Sequence, residues 1–171
     1  MNEEQREEWL ITAKHEAGHA VMRWLRGLPL TDTHLRIEDG LVHGCVEGTG
    51  KLQRADDLLF VSLAGLSAES EYGVLSFDFE KSDTEDLRTA RRILDDCEYL
   101  RLALPEGFEV GKTKPTIDPV EVALSKWFDE CNRQLGAFCY VVEDVADAII
   151  WRGGDLSATA LEVILEKYEQ N

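Results

Sequence analysis

The sequence predicts a mainly helical single domain with one small β-hairpin. Three observations carry that expectation. Apolar residues recur at helical spacing along most of the 171-residue chain, a single Asp-Gly turn separates two alternating segments, and glycine or proline punctuates the boundaries. At 44% hydrophobic, the chain is apolar enough to bury a substantial core.

Composition narrows the classes of partner. Lys and Arg total 18 against 34 Asp and Glu, a formal charge of −16 that disfavours nucleic-acid backbones and anionic membranes. The start, Met1-Asn2-Glu3-Glu4, lacks the basic-then-apolar order of a signal peptide, and no apolar run approaches the ~20 residues needed to cross a bilayer. The expected location is therefore cytoplasmic. Cys45, Cys97, Cys131 and Cys139 show no C-x-x-C spacing and are expected as reduced core residues, not as disulfides or a structural zinc site.

The first helix is expected from near Asn2, with acidic residues at its positive end, to a stop at Gly27-Leu28-Pro29. Trp9, Ala13, Ala17, Ala20, Val21, Trp24 and Leu25 mark its buried stripe. Within it lies His15-Glu16-Ala17-Gly18-His19. Positions four apart fall about 40° apart around a helix, so His15 and His19 face one way and can share an ion. Glu16 projects about 100° from His15, near enough to reach a water on that ion without joining its ligands. Neutral imidazole suits Zn²⁺, and a catalytic zinc keeps about three protein ligands plus a water whose pKa falls to roughly 7. A carboxylate beside that water can take its proton and pass it to a leaving amine. The motif thus reads as a zinc hydrolase, with His15 and His19 as ligands and Glu16 as general base.

A hairpin follows, with Thr33 to Glu38 and Leu41 to Glu47 flanking Asp39-Gly40. Its register pairs Arg36 with His43 and His34 with Cys45, leaving Leu35, Ile37, Val42 and Val46 on the other face. His34 and His43 are read as solvated histidines. The hairpin either caps the core or offers an edge strand that aligns an extended peptide across the metal.

Residues Gln53 to Tyr72 form the second expected helix, apolar on most sides through Leu58, Leu59, Phe60, Val61, Leu63 and Leu66, with Ala64 and Gly65 permitting close helix contact. Glu69 near its end is a metal ligand, an acceptor for a ligand histidine's free N–H, or an exposed terminal residue. A third helix opens at Ser82-Asp83-Thr84-Glu85, in the form of a capping box, and runs to about Leu102. Asp86, Ala90, Ile93 and Cys97 share its apolar stripe, where a carboxylate calls for a cation. Residues 105–118 read as a loop dividing the zinc-site half, 1–104, from C-terminal helices over 119–171. Asp118-Pro119 starts the first of these, Gly136 breaks it, and Gly153-Gly154 ends the second; Ser157 starts the last. The second runs through Val141, Val145, Ile149 and Trp151, and the aromatic residues of this half are read as core from their helix-face spacing.

The order His-Glu-Ala-Gly-His, Leu28-Pro29-Leu30 and hairpin, Leu63-Ala64-Gly65-Leu66-Ser67-Ala68-Glu69, Tyr72-Gly73, then Ser82-Asp83-Thr84-Glu85-Asp86-Leu87 resembles the peptidase domain of FtsH-type zinc metalloproteases. The resemblance implies a helical, zincin-like metallopeptidase fold, Zn²⁺ bound by His15, His19 and Asp86, and Glu16 as catalytic base. Asp86 is accordingly the candidate third ligand, ahead of Glu69. Thr84-Glu85-Asp86 stands where that family commonly has Ser-Asn-Asp, and Leu66-Ser67 replaces an arginine-containing pair. The family's AAA+ ATPase and membrane anchor have no counterpart in these 171 residues. The expected substrate is thus unfolded or flexible polypeptide, with a homo-oligomer or a separate ATPase as partner. The rival class is a non-catalytic interaction module built on a peptidase-like fold.

Overall fold

The computed structural model describes residues 1–46, 54–73, 84–97 and 118–169, and its architecture is mainly helical with a small three-stranded antiparallel sheet. Helix α1 spans Glu3–Leu25, strands β1 and β2 span Thr33–Glu38 and Leu41–Val46, and helices α2 and α3 span Ala55–Glu69 and Glu85–Asp96. Then come α4, Pro119–Gly136, α5, Cys139–Trp151, strand β3, Asp155–Leu156, and α6, Ala158–Leu165. No helix among the described residues is long and apolar enough to cross a membrane.

Helix α1 is closed at both ends by side chains and backbone that satisfy its free polar groups. The Asn2 side chain accepts from the Gln5 N–H at 2.8 Å, and the Gln5 side chain accepts from the Asn2 N–H at 3.1 Å. At the other end Gly27, at φ +65°, lets Leu28 N–H reach the Arg23 carbonyl at 2.9 Å. The stretch from Glu16 to Arg23 is buried on every side, because α1 packs against α2, α5 and β2 together. Gly18 marks the tightest approach: a Cβ there would lie 2.5 Å from the Ala64 carbonyl oxygen of α2. Arg26, just past the end of α1, binds Asp57 at 2.6 Å and Asp56 at 2.9 Å on the first turn of α2, locking the two helices in register.

The hairpin has the expected register, with Arg36 opposite His43 and His34 opposite Cys45. Asp39 and Gly40 both take positive φ, +52° and +84°, which the two-residue turn requires. The third strand was not expected. Asp155–Leu156 pairs with His34 and Thr33, and Gly154 at φ +100° brings its carbonyl to the Leu35 N–H at 2.8 Å. Two residues are too short to show a period-two pattern in sequence. With strand order β2-β1-β3, β2 has no strand neighbour on its outer side among the described residues.

Several boundaries differ from expectation. Helix α2 ends at Glu69, short of Tyr72, because Glu71, Tyr72 and Gly73 all adopt positive φ and the chain unwinds. Its expected start at Gln53 lies outside the described residues. Thr84 caps α3, two residues later than the capping box suggested; its Oγ1 accepts from the Leu87 N–H at 3.3 Å. The rest of that box, Ser82 and Asp83, lies outside the described residues, as do the expected end near Leu102 and the loop to Ile117. Trp151 is 91% exposed, not core, whereas Val141, Val145 and Ile149 are buried. Those three follow a spacing of four, and Trp151 falls about 200° round the helix from Ile149. Cys45 is exposed on β2, and only Cys131 of the four thiols is fully buried; all four are free.

Replacing Gly18 with Ala sets two effects against each other. Ala improves helix propensity by about 1 kcal/mol, but overlap with an immovable carbonyl costs about 1–3 kcal/mol. The net expectation for Gly18→Ala is a lower urea midpoint, measured with chelator present so that metal plays no part. A midpoint equal to the parent's or above it would show that α1 and α2 are free to separate.

Candidate metal centre

Three elements deliver the site. Helix α1 presents His15 and His19 one turn apart on its face toward α2 and α3, and its buried run carries Glu16 beneath β2. The Thr84 cap fixes the start of α3 and sets Asp86 in its first turn. His15 Nε2 lies 2.9 Å from His19 Nε2 and 2.9 Å from Asp86 Oδ2, and His19 Nε2 lies 3.4 Å from the same oxygen. These three side chains are the described group with the geometry to hold a metal ion. Tetrahedral Zn²⁺ with ligand bonds near 2.0–2.1 Å separates its ligand atoms by about 3.3 Å, close to the spacing found here.

The outward nitrogens decide which tautomers face that point. His19 Nδ1 donates to the Val61 carbonyl oxygen at 2.7 Å, and His15 Nδ1 donates to Glu69 Oε1 at 2.8 Å. With both Nδ1 positions protonated, neutral imidazoles turn two Nε2 lone pairs toward each other and toward a carboxylate. Three acceptors at such distances require a cation between them. In the absence of a metal a proton fills that role. Burial disfavours charge on His15, yet hydrogen bonds to Asp86 and Glu69 and the surrounding carboxylates raise its pKa from 6.5 to about 10. Asp86 is also penalised by burial, but His15 and His19 hold it well below the ordinary carboxylate range. The donor set fits Zn²⁺, and Glu69 fits the orienting acceptor of a ligand imidazole rather than the third ligand.

Glu16 is 5% exposed, and burial raises its pKa against the opposing pull of His19 and His15. Two glycines make room for these groups. A Cβ on Gly65 would lie 2.5 Å from Cδ2 and Cε1 of His15, and one on Gly44 of β2 would lie 2.7 Å from the Glu16 carboxyl carbon. All four candidates border a cavity of about 650 Å³ that is also lined by Val42, His43, Gly44 and Arg23. His43 is exposed at its rim, whereas His34 is half-buried and pairs with Asp155 at 2.8 Å, away from the cavity.

The sequence reading missed Arg23 and Gly44. Arg23 continues the spacing of four from His15 through His19, and an isolated glycine inside a strand is a known sign of close approach.

Metal binding must displace the His15 proton, which is held up to about 10. Zn²⁺ affinity is therefore expected to rise about tenfold per pH unit from roughly pH 6 to pH 8, with about one proton released, measured by calorimetry in buffers of different ionisation enthalpy. Affinity independent of pH would mean that the ion does not use His15 Nε2. Glu69→Ala is expected to weaken Zn²⁺ binding about 10- to 100-fold, and Asp86→Ala more than that. The reverse order would exchange the roles of the two carboxylates. No protein-family model and no curated protein matches this chain.

Proposed function

We propose that this chain is a zinc-dependent metalloendopeptidase of the FtsH-peptidase type, acting on unfolded or flexible polypeptide. The observation that carries the reading is the meeting of His15 Nε2, His19 Nε2 and Asp86 Oδ2 at one point of a cavity that Glu16 also borders. A Zn²⁺ held by these three would supply Lewis acidity and lower the pKa of a coordinated water to roughly 7.

The chain's own residues account for the remaining needs of peptide hydrolysis. Glu16 takes a proton from the attacking water and returns it to the leaving amine nitrogen. Burial suits it to that exchange, since a carboxylate with a raised pKa is a better base than an exposed one. Glu69 and Val61 hold the two imidazoles by Nδ1, so each ring keeps its Nε2 directed inward. Strand β2 contributes Val42 to Cys45 to the cavity wall, and its outer edge suits pairing with an extended peptide. Such pairing reads backbone, which matches a substrate class defined by lack of structure.

The test combines metal content with cleavage. Protein purified without added metal is expected to hold about one zinc per chain and to degrade unfolded casein in a chelator-sensitive way. Glu16→Gln is expected to keep the zinc and lose cleavage by about 10²- to 10⁴-fold. Full cleavage by Glu16→Gln would remove Glu16 as base, and zinc without any cleavage by the parent would favour a binding module.

A further inference from the structure

Arg23 stands one helical turn beyond His19, on the face of α1 that carries both histidines. It borders the same cavity as His15, Glu16 and His19, yet only 3% of it is exposed. Its Nε donates to the Pro29 carbonyl oxygen at 2.8 Å, which fixes the guanidinium plane. Its Nη2 is buried with no hydrogen-bond partner among the described residues. Burial pulls the Arg23 pKa below the ordinary arginine value, and no carboxylate among the described residues pairs with it.

That is an exception in a chain with 34 acidic residues against 18 basic ones. Arg26, three positions on, has two aspartates. A buried guanidinium without a counter-charge is costly, because its desolvation is offset only by close, well-oriented acceptors. The carboxylates of the cavity wall, Glu16, Glu69, Glu85 and Asp86, repel an incoming anion, and the imidazoles of His15 and His19 are already engaged with Asp86, Glu69 and Val61. Within that wall Arg23 is the protein group suited to receive one, and its planar fork matches a carboxylate.

Building on the peptidase reading, we propose that Arg23 is a specificity-determining residue that binds a carboxylate of the polypeptide lying in the cavity. The carboxylate comes from an Asp or Glu side chain or from a free C-terminus. Either source places negative charge one helical turn along α1 from the metal ligands, so the bond presented to Glu16 is chosen by its distance from that charge.

The experiment measures binding by fluorescence anisotropy to the zinc-loaded Glu16→Gln protein, so that cleavage does not interfere. The probes are four short labelled peptides carrying a single Glu or a single Gln, each as free acid or C-terminal amide. One carboxylate is expected to tighten binding about tenfold over its neutral counterpart. Glu over Gln identifies the side chain, and acid over amide the C-terminus. Adding Arg23→Met, which keeps apolar bulk, is expected to abolish that ratio, while Arg23→Lys retains part of it. Equal affinity for all four peptides overturns the proposal, as does a ratio that survives in Arg23→Met. The parent protein separates the two readings. Cleavage without carboxylate preference removes Arg23's role alone, whereas selective binding without cleavage removes the peptidase reading and leaves Arg23 as a carboxylate receptor.

Discussion

Two imidazole nitrogens and a carboxylate oxygen, all acceptors toward one another, meet at separations of 2.9–3.4 Å in a largely buried place. Such a cluster is stable only around positive charge. The rest of the structure can be read as what is needed to bring the three together and keep their lone pairs inward. The Val61 carbonyl and Glu69 fix the tautomers from behind, and Thr84 fixes the turn that carries Asp86. Without those supports, a proton on either Nδ1 could move to Nε2, and the point of convergence would no longer favour a metal.

Packing sets the distances. Helix α1 can present two histidines toward α2 only if the helices approach closely, and Gly18 against the Ala64 carbonyl permits that approach. Gly65 then leaves space for the His15 ring where any side chain would stand, and Gly44 does the same for Glu16 beneath β2. Clamps outside the site hold the arrangement. Arg26 ties the end of α1 to the start of α2, Ser67 of α2 donates to Asn132 of α4 at 2.6 Å, and Arg91 of α3 meets Glu121 of α4 at 2.8 Å. The second of these is buried and neutral, so it adds specificity without a charge to desolvate.

Much of this was legible in the chain because the relevant signals are local. The spacing of His15 and His19, the Asp39-Gly40 turn and its register, the Asp118-Pro119 start and the place of Asp86 on an apolar stripe all depend on residues within one or two turns. Features that depend on distant partners were not legible. Asp155–Leu156 is a strand only because Gly154 meets Leu35, and the short end of α2 reflects positive φ at two non-glycine residues, Glu71 and Tyr72. Glu69 illustrates the boundary between the two kinds. Its alternatives could be named from sequence, but choosing among them needed the 2.8 Å approach of His15 across 54 positions.

The same cavity treats its carboxylates in opposite ways, which is what a hydrolytic reading requires. Burial penalises the ionised form of both Glu16 and Asp86. Asp86 is in direct contact with both histidines and is driven well below the ordinary range, so it stays an anion fit for a cation. Glu16 feels the histidines only through space, burial prevails, and its affinity for a proton rises. One environment thus separates the proposed ligand from the proposed base by direct contact alone. The difference follows from geometry: Asp86 Oδ2 lies 2.9 and 3.4 Å from the two Nε2 atoms, whereas Glu16, one residue from His15, is turned toward Gly44 and the edge strand. Moving either carboxylate into the other's position would remove its proposed role while leaving the composition of the site unchanged.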